Sequence, residues 1–217
     1  SMDLTGFSMA LADDPELMDM MTQAGFSTVF VGIETPEDSA LEECRKVQNR
    51  NRDLVTSVKT IQNNGMEVLG GFIVGFDSDS PNIFRQQINF ISESGIVSAM
   101  IGLLNAPAKS QLYQRLKKEG RILNKMSGDN TDATMNFIPK MNKDTLIAGY
   151  HQLIRGIYEG KPFYQRVRMF LSDFNPKVKN RTKVTFTKIK ALLKSMFIIG
   201  ILDESRIYYW SLFFWSL

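Results

Sequence analysis

Residues 28–36 read TVFVGIETP, and residues 68–79 read VLGGFIVGFDSD. Each stretch is a run of apolar, mainly β-branched or aromatic residues without polar alternation, and each leads into acidic residues. Such runs are typical of strands that are covered on both faces of a parallel sheet. We therefore predict two buried parallel strands with carboxylates at their carboxyl ends.

The pattern extends to both sides of these runs. Further strand patterns cover residues 4–11 and 97–104, and helical patterns cover residues 36–47, 53–64, 79–94 and 109–120. Strands separated by helices of this length indicate right-handed βαβ units. The predicted fold class is α/β, a parallel partial (β/α) barrel fragment of about four strands followed by an all-α region.

The chain changes character after Gly120. Residues 124–136 are polar and rich in turn-forming residues, and only helical patterns follow. These patterns cover residues 143–158, 162–173, 186–199 and 205–217. We predict the barrel part at residues 1–122, a linker at residues 123–139 and a helical C-terminal extension at residues 140–217.

Composition narrows the class of protein. The 217 residues are 43% hydrophobic and 23% charged with a net charge of +3, which is typical of a globular protein and excludes a disulfide scaffold. The single Cys44 indicates a reducing compartment, so we expect a cytoplasmic protein. One cysteine and one histidine cannot supply four zinc ligands or the thiolates of an iron–sulfur cluster. The N-terminal residues do not resemble a signal peptide, and charges interrupt the apolar C-terminal stretch, so we expect no membrane span.

Two groups of residues are candidates for ligand contacts. Glu34 follows a predicted strand, where α/β folds place ligands, and its carboxylate could accept hydrogen bonds from the paired hydroxyls of a sugar. The alternative is a helix cap in the segment 34–36, with Thr35 as the capping residue. Gly70, Gly71 and Gly75 indicate that a flat ligand, or else a tightly packed helix, approaches the backbone closely.

Other polar residues favour structural interpretations. Asp77 or Asp79 is predicted to cap the following helix, and Cys44 and His151 fall inside helical patterns. Residues 161–194 contain ten Lys or Arg and one acidic residue, and could contact RNA. A solvated basic face is the favoured interpretation, and the net charge of +3 attracts a polyanion only weakly, so nucleic acid is not the expected partner.

Four segments in register resemble the second half of a radical S-adenosylmethionine (SAM) core. They are AGFSTVFVGIETP (24–36), LEECRKVQNR (41–50), GGFIVGFDSD (70–79) and APAKSQLYQRLKKEGRI (106–122). The fuller forms of these motifs look most like the cobalamin-binding radical SAM enzymes with a helical C-terminal extension. The resemblance implies a partial (β/α)₆ barrel that holds a [4Fe–4S] cluster and SAM.

The resemblance also implies a set of cofactor-binding residues. Glu34 matches a contact to the SAM ribose, and Lys46 matches a basic residue that meets the methionyl carboxylate in some members. The remaining matches border the adenine or lie on the first strand. They are Gly71, Ile73 and Gly75 of the GxIxG strand, Leu104 and Asn105 of the last strand, and Ser8.

The sequence departs from the family pattern at three places. Ser78 stands where the family motif has glutamate, residues 106–109 (APAK) replace a proline-glycine-threonine turn, and the CxxxCxxC cluster motif is absent. We therefore assign no catalytic residue and no metal ligand to this chain. We expect a fragment that begins at strand three of a longer enzyme, a cobalamin-dependent methyltransferase or a related enzyme.

Further expectations follow for cofactors and partners. The fragment alone is expected to be inactive and to bind neither SAM, the cluster nor cobalamin stoichiometrically. Its expected partners are the missing N-terminal part of the polypeptide, other copies at exposed strand edges, and an unidentified small-molecule or lipid substrate. The alternatives are a complete SAM- or nucleotide-binding module without radical chemistry, and an RNA-contacting protein that uses residues 161–194.

Overall fold

A computed structural model describes residues 2–7, 9–123, 134–176 and 185–217. Within these residues, four strands alternate with helices before the chain becomes helical. The strands are β1 (Met2–Phe7), β2 (Phe26–Glu34), β3 (Glu67–Val74) and β4 (Ala99–Leu103). The helices of the first part are α1 (Pro15–Gln23), α2 (Asp38–Glu43), α3 (Leu54–Asn63), α4 (Ile83–Ser94) and α5 (Gln111–Lys118). The later helices are α6 (Lys143–Tyr158), α7 (Gly160–Asp173), α8 (Phe186–Phe197) and α9 (Arg206–Trp215).

The four strands form one parallel sheet in the order β1-β2-β3-β4. Each crossover contains at least one helix, as the sequence predicts for consecutive βαβ units. The α/β class and the helical region are confirmed. The domain boundaries at residues 122 and 140 stay a prediction, and residues 124–133 of the predicted linker lie outside the described residues.

Several predicted element ends are wrong. The strand predicted over residues 4–11 ends at Phe7, and a 3₁₀ helix follows at Met9–Asp13. The helix predicted over residues 36–47 is only α2, and a separate 3₁₀ turn covers Val47–Asn49. Helix α4 begins at Ile83 rather than at residue 79, because the Asp79 carboxylate accepts backbone hydrogen bonds from Gly75 and Phe76 instead of capping the helix.

The sheet is covered on one face only, which corrects the prediction of strands buried on both faces. Val29, Val31 and Ile33 of β2 are fully buried in the main hydrophobic core. The intervening residues Phe30 and Gly32 are half-buried, as are several residues that point the same way from β3 and β4. The apolar run therefore predicts strand β2 correctly, but the described residues leave the second face of β2 uncovered.

Helix α6 belongs to the same core as the sheet, with Leu146, Leu153 and Ile157 fully buried. Two of its tyrosines also cover the outer edge of β4. The hydroxyl of Tyr150 donates to the carbonyl of Ile101 (3.2 Å), and that of Tyr158 lies 2.6 Å from the Ala99 carbonyl and 2.9 Å from the Ala99 amide. These bonds satisfy backbone groups that an uncovered edge strand would leave unpaired. At the other edge, β1 pairs with no strand besides β2 among the described residues.

Arg166 of α7 is a structural residue and not part of a solvated basic face. Its side chain is 1% exposed and donates from Nε to the Ile96 carbonyl (2.7 Å), while its guanidinium lies over the rings of Tyr158 and Phe163. Burial lowers the pKa of this group. The contiguous basic face suggested for residues 161–194 is therefore interrupted, and its members Lys177, Lys179, Arg181 and Lys183 lie outside the described residues.

No helix among the described residues is both long and apolar enough to cross a membrane. The chain ends in a hairpin, in which a π-helical turn (Ile198–Leu202) continues α8 and leads to α9.

Candidate functional site

A cleft of about 360 Å³ lies on the open face of the sheet, towards the carboxyl ends of β2, β3 and β4. The residues that line it are mainly glycines and apolar residues with one carboxylate. They are Phe30, Gly32, Glu34, Gly71, Phe72, Ile73, Met100, Gly102, Leu103, Leu104, Asn105 and Pro107. The carboxyl ends of parallel strands are where α/β proteins bind ligands.

Glycines form the floor of this cleft. Gly32 pairs with Gly71 across β2 and β3, and Gly102 pairs with Ile73 across β3 and β4. A Cβ atom at Gly71 would lie 2.9 Å from the ring of Phe30, so a larger residue there would displace that ring. Bare backbone at successive positions leaves a shallow surface on which a flat ring can lie against the sheet.

Glu34 occupies an unusual backbone conformation at the end of β2. Its φ is 67°, and it is the central residue of a three-residue turn that the Thr35 amide closes by donating to the Ile33 carbonyl (2.9 Å). A non-glycine residue in such a turn costs about 1–3 kcal/mol, and strain of this kind concentrates at functional sites. The turn aims the Glu34 side chain, which is 17% exposed, back over Gly32, whose added Cβ would lie 2.7 Å from Glu34 Oε1.

The segment after α2 holds this carboxylate in place. Lys46 Nζ lies 3.0 Å from Glu34 Oε1 and 3.4 Å from the Gly32 carbonyl. The buried Asn49 donates to the carbonyls of Gly32 and Ile33, both at 3.4 Å. Thr35 Oγ1 accepts a hydrogen bond from the Glu37 amide at the start of α2, as the capping alternative predicts for Thr35, whereas the Glu34 carboxylate pairs with Lys46. Asn49 was not predicted as a site residue, because its hydrogen bonds to the Gly32 and Ile33 carbonyls exist only once the turn at Glu34 has formed.

The structure brings most of the predicted cofactor-binding residues together. Glu34, Gly71, Ile73, Leu104 and Asn105 all line the cleft, and Lys46 reaches it through its ion pair with Glu34.

The two other predicted residues are not in this group. Gly75, with φ 105°, faces the core, where an added Cβ would lie 3.3–3.7 Å from Met135, Leu146 and Leu104. Ser8 lies outside the described residues.

A second cavity of about 500 Å³ adjoins the cleft and shares Leu104 and Pro107 with it. Its wall contains Glu43, which accepts hydrogen bonds from the amide (3.2 Å) and hydroxyl (3.1 Å) of Ser78 and lies 2.6 Å from Arg115. A carboxylate therefore stands beside residue 78, where the family motif has glutamate, although a different segment supplies it. Because Glu43 is distant from Ser78 in the sequence, an alignment of the family motif with residues 71–78 does not find this carboxylate.

The residues present do not fit an iron–sulfur cluster. Cys44 is the only cysteine in the sequence, and burial raises the pKa of its thiol, which favours the protonated form that does not bind metal. His151 is exposed beside Tyr150 at a third cavity of about 590 Å³ between β4 and α6. No three His, Cys, Asp or Glu side chains converge in the described parts of the chain.

The Asp79 carboxylate is partly buried in the turn that follows β3. Burial raises its pKa to about 6, although the amides of Gly75 and Phe76 donate to Oδ2 at 2.8 and 3.0 Å and partly oppose the shift. Its other oxygen, Oδ1, has no hydrogen-bond partner among the described residues. The folded protein therefore binds the Asp79 proton more tightly than the unfolded chain does.

Asp79→Asn should consequently remove a pH dependence of stability. The contribution from protonated Asp79 is fully present below about pH 4 and is lost as the pH rises through about 6. We expect the stability of Asp79→Asn relative to wild type to rise by about 1–2 kcal/mol between pH 4 and pH 7, measured by urea unfolding. The exposed Asp38→Asn is the control. A constant difference between wild type and Asp79→Asn across this range would contradict the assignment.

By its fold, the protein belongs to the class of α/β half-barrels, and it has a candidate ligand cleft at the carboxyl ends of its strands. A sequence-family profile described as a domain of unknown function, DUF4070, matches residues 110–217. An uncharacterized methyltransferase of Synechocystis is 33% identical over 209 residues, which cover 95% of this chain and 39% of that protein. The hopanoid C-2 methylase of Rhodopseudomonas palustris is 29% identical over 221 residues, with 95% and 41% covered.

The bacteriochlorophyllide d C-12(1)-methyltransferase of Chlorobaculum tepidum is 24% identical over 161 residues, with 74% of this chain and 35% of that protein covered. The chain belongs to the radical SAM family, in the branch that contains these methylating enzymes, and corresponds to a C-terminal part of such a protein. It spans about two fifths of the length of the first two relatives.

Proposed function

We propose that this chain supplies part of the SAM pocket and the substrate-side wall of a cobalamin-dependent radical SAM methyltransferase, and that it is inactive by itself. The observation that carries the proposal is the Glu34–Lys46 pair over the glycine floor of the cleft. SAM bound in this pocket would supply, with an electron from the iron–sulfur cluster, the radical chemistry that abstracts hydrogen from the substrate. The chain's own residues bind and orient SAM, and the iron–sulfur cluster requires ligands from outside this chain.

Each part of the cleft suits a part of SAM. The Glu34 carboxylate can accept hydrogen bonds from the ribose hydroxyls, and it is already oriented by Lys46. Lys46 also provides a cation for the methionyl carboxylate. Ile73 and Leu104 offer apolar contacts to an adenine lying over Gly71. The side-chain amide of Asn105 is bonded to the Leu103 and Thr134 carbonyls and to the Asn136 amide, so this residue would border the adenine with its backbone.

The substrate-side wall is apolar. The cavity between β4 and α6 is lined by Phe30, Leu69, Met100 and Ile154, with His151 at its exposed rim. An apolar small molecule or lipid would bury these side chains, which water otherwise contacts. Two relatives are named for methylation of a hopanoid and of bacteriochlorophyllide d. The open outer edge of β1 is a site at which the rest of the polypeptide, or another copy, can add a strand.

Saturation-transfer NMR with SAM tests the cleft on the 217-residue chain. Transfer to the adenine and ribose protons is expected, with weak affinity because only part of the pocket is present. Gly102→Val should remove most of the signal by filling the cleft, and Glu34→Gln should weaken binding about tenfold by removing a charged acceptor. His151→Gln, outside the cleft, is the matched control.

Three results would contradict the proposal in distinguishable ways. Transfer that is absent, or unaffected by Gly102→Val, would show that this cleft does not hold SAM. Tight, stoichiometric SAM binding would favour a complete binding module instead of a partial site. Stoichiometric [4Fe–4S] absorbance after anaerobic reconstitution of this polypeptide alone would overturn the statement that the cluster needs other ligands.

A further inference from the structure

The C-terminal hairpin exposes an unusual amount of apolar surface. Helices α8 and α9, which lie fully within the described residues, bury none of their side chains. Phe186, Leu193 and Phe197 are 82%, 61% and 57% exposed. Exposed apolar residues continue through the π-helical turn and α9. They include Ile198, Ile201, Leu202, Ile207, Phe214 and Trp215.

These residues form a stripe on α8. Phe186, Ile189, Leu193 and Phe197 follow one another at spacings of three and four, so they share one helical face. Two hydrogen bonds fix the inner side of the hairpin. One joins the hydroxyls of Ser195 and Tyr209 (2.9 Å), and in the other Trp210 Nε1 donates to the Gly200 carbonyl (2.8 Å). The apolar stripe is therefore held outward by a defined hairpin structure.

Positive charge accompanies the stripe. Lys188, Lys190 and Lys194 lie on α8, and residues 186–202 contain no acidic residue. Lys190 and Lys194 are four residues apart and border the stripe on one side, while Lys188 lies on the opposite side of the helix. An apolar stripe with a lysine-rich remainder is the arrangement of helices that lie in the interface of an anionic membrane.

The other helix of the hairpin adds interfacial residues. Tyr208 and Trp215 of α9 are 36% and 43% exposed, and such rings favour the boundary between lipid headgroups and acyl chains. A groove of about 290 Å³ between α7 and α9 is lined by Lys161, Arg168, Ile207 and Tyr208 among others. Two cationic side chains therefore stand at the border of the apolar surface, and one of them, Arg168, also donates to the Ser211 carbonyl (3.1 Å) and lies over the Trp215 ring.

We propose that the α8–α9 hairpin is a docking surface for an anionic lipid membrane. Helix α8 would lie in the headgroup region with its apolar stripe towards the acyl chains and its lysines towards lipid phosphates. A second copy of the chain suits this surface less well, because a symmetric contact would bring the same lysines together. The proposal does not depend on SAM binding.

Co-sedimentation with vesicles tests it on the 217-residue chain. We expect binding to vesicles of phosphatidylcholine mixed with phosphatidylglycerol, weaker binding to phosphatidylcholine alone, and a loss of binding at high salt. Leu193→Asp combined with Phe197→Asp should weaken binding at least tenfold. Lys188→Gln, Lys190→Gln and Lys194→Gln together should remove the preference for the anionic lipid, at about fivefold per lysine.

The control variants make the same kinds of substitution on helices outside the hairpin. Met20→Asp changes an apolar residue of α1 that is 61% exposed, and Lys117→Gln with Lys118→Gln removes two charges from α5; neither should change vesicle binding. Binding to neither vesicle, or binding that ignores the α8 variants, would overturn the proposal. So would self-association, or RNA binding, that depends on these α8 residues in the absence of vesicle binding.

Discussion

Replacing Arg121 with methionine is expected to lower the free energy of unfolding by about 2–4 kcal/mol, because the Asp77 carboxylate loses its bidentate hydrogen-bond partner. Asp77 then keeps the longer ion pairs to Arg115 (3.3 Å) and Lys140 (3.8 Å). Arg121 donates to both oxygens of Asp77 at 2.6 and 2.8 Å, and the Asp77 side chain is only 7% exposed. Its Nε also donates to the Ile138 carbonyl (2.8 Å). The residue thus connects the end of β3, the end of α5 and the segment that follows residue 134.

Urea unfolding would measure this effect, with Arg155→Met as the matched control. Arg155 is paired with Glu159 at 4.0 Å on the surface of α6, where both side chains are more than 70% exposed, so its loss should cost less than about 1 kcal/mol. Adding Asp77→Asn to Arg121→Met should recover part of the stability, since it removes a carboxylate that has lost its bidentate partner and keeps only longer ion pairs. Equal effects of the two arginine substitutions would contradict the assignment.

The pH dependence of the stability lost in Arg121→Met provides a second test of the Arg121–Asp77 pair. The hydrogen bonds from Arg121 lower the pKa of Asp77, so the stability that this pair contributes is present above about pH 4 and is lost as the pH falls below it. The difference between wild type and Arg121→Met should therefore shrink in acid. A merely steric effect of the substitution would not change with pH.

Local sequence signals predicted the elements well. Helix α6 spans residues 143–158 as its periodicity predicts, and α3 begins after Asp53, whose carboxylate accepts a hydrogen bond from the Thr56 amide. Gly95 ends α4 in a left-handed conformation. These signals work because caps and periodicity depend on residues within one or two turns of each other.

Contacts between distant segments were not predictable in the same way. Arg121 meets Asp77 across 44 residues, and Tyr158 covers Ala99 across 59. The apolar runs of β2 and β3 indicated strands, but an apolar residue does not reveal whether its face is covered by this chain or by a ligand or partner. The candidate cleft was located through Glu34 and the glycines. The contacts of Asn49 with the Gly32 carbonyl, and of Glu43 with Ser78 at the adjoining cavity, follow only from the fold.

Gly149→Ala is expected to destabilise the protein by about 3 kcal/mol, although alanine is the better helix former by about 1 kcal/mol. An added Cβ at Gly149 of α6 would lie 2.1–2.4 Å from three ring atoms of Phe84 in α4, so α6 and α4 would have to separate. Phe84 is itself buried in the main hydrophobic core, with 6% of its surface exposed.

Gly156→Ala on the same helix is the control, because its Cβ would meet only the flexible end of Ile88, at 2.9 Å. A double-mutant cycle makes the comparison sharper: in a Phe84→Leu background, Gly149→Ala should cost markedly less, which would show that the two sites are coupled. A gain in stability for Gly149→Ala alone would mean that α6 does not approach α4 this closely. Because the Tyr150 and Tyr158 bonds to β4 depend on the same placement of α6, the experiment also tests whether the C-terminal helical region completes the core of the half-barrel.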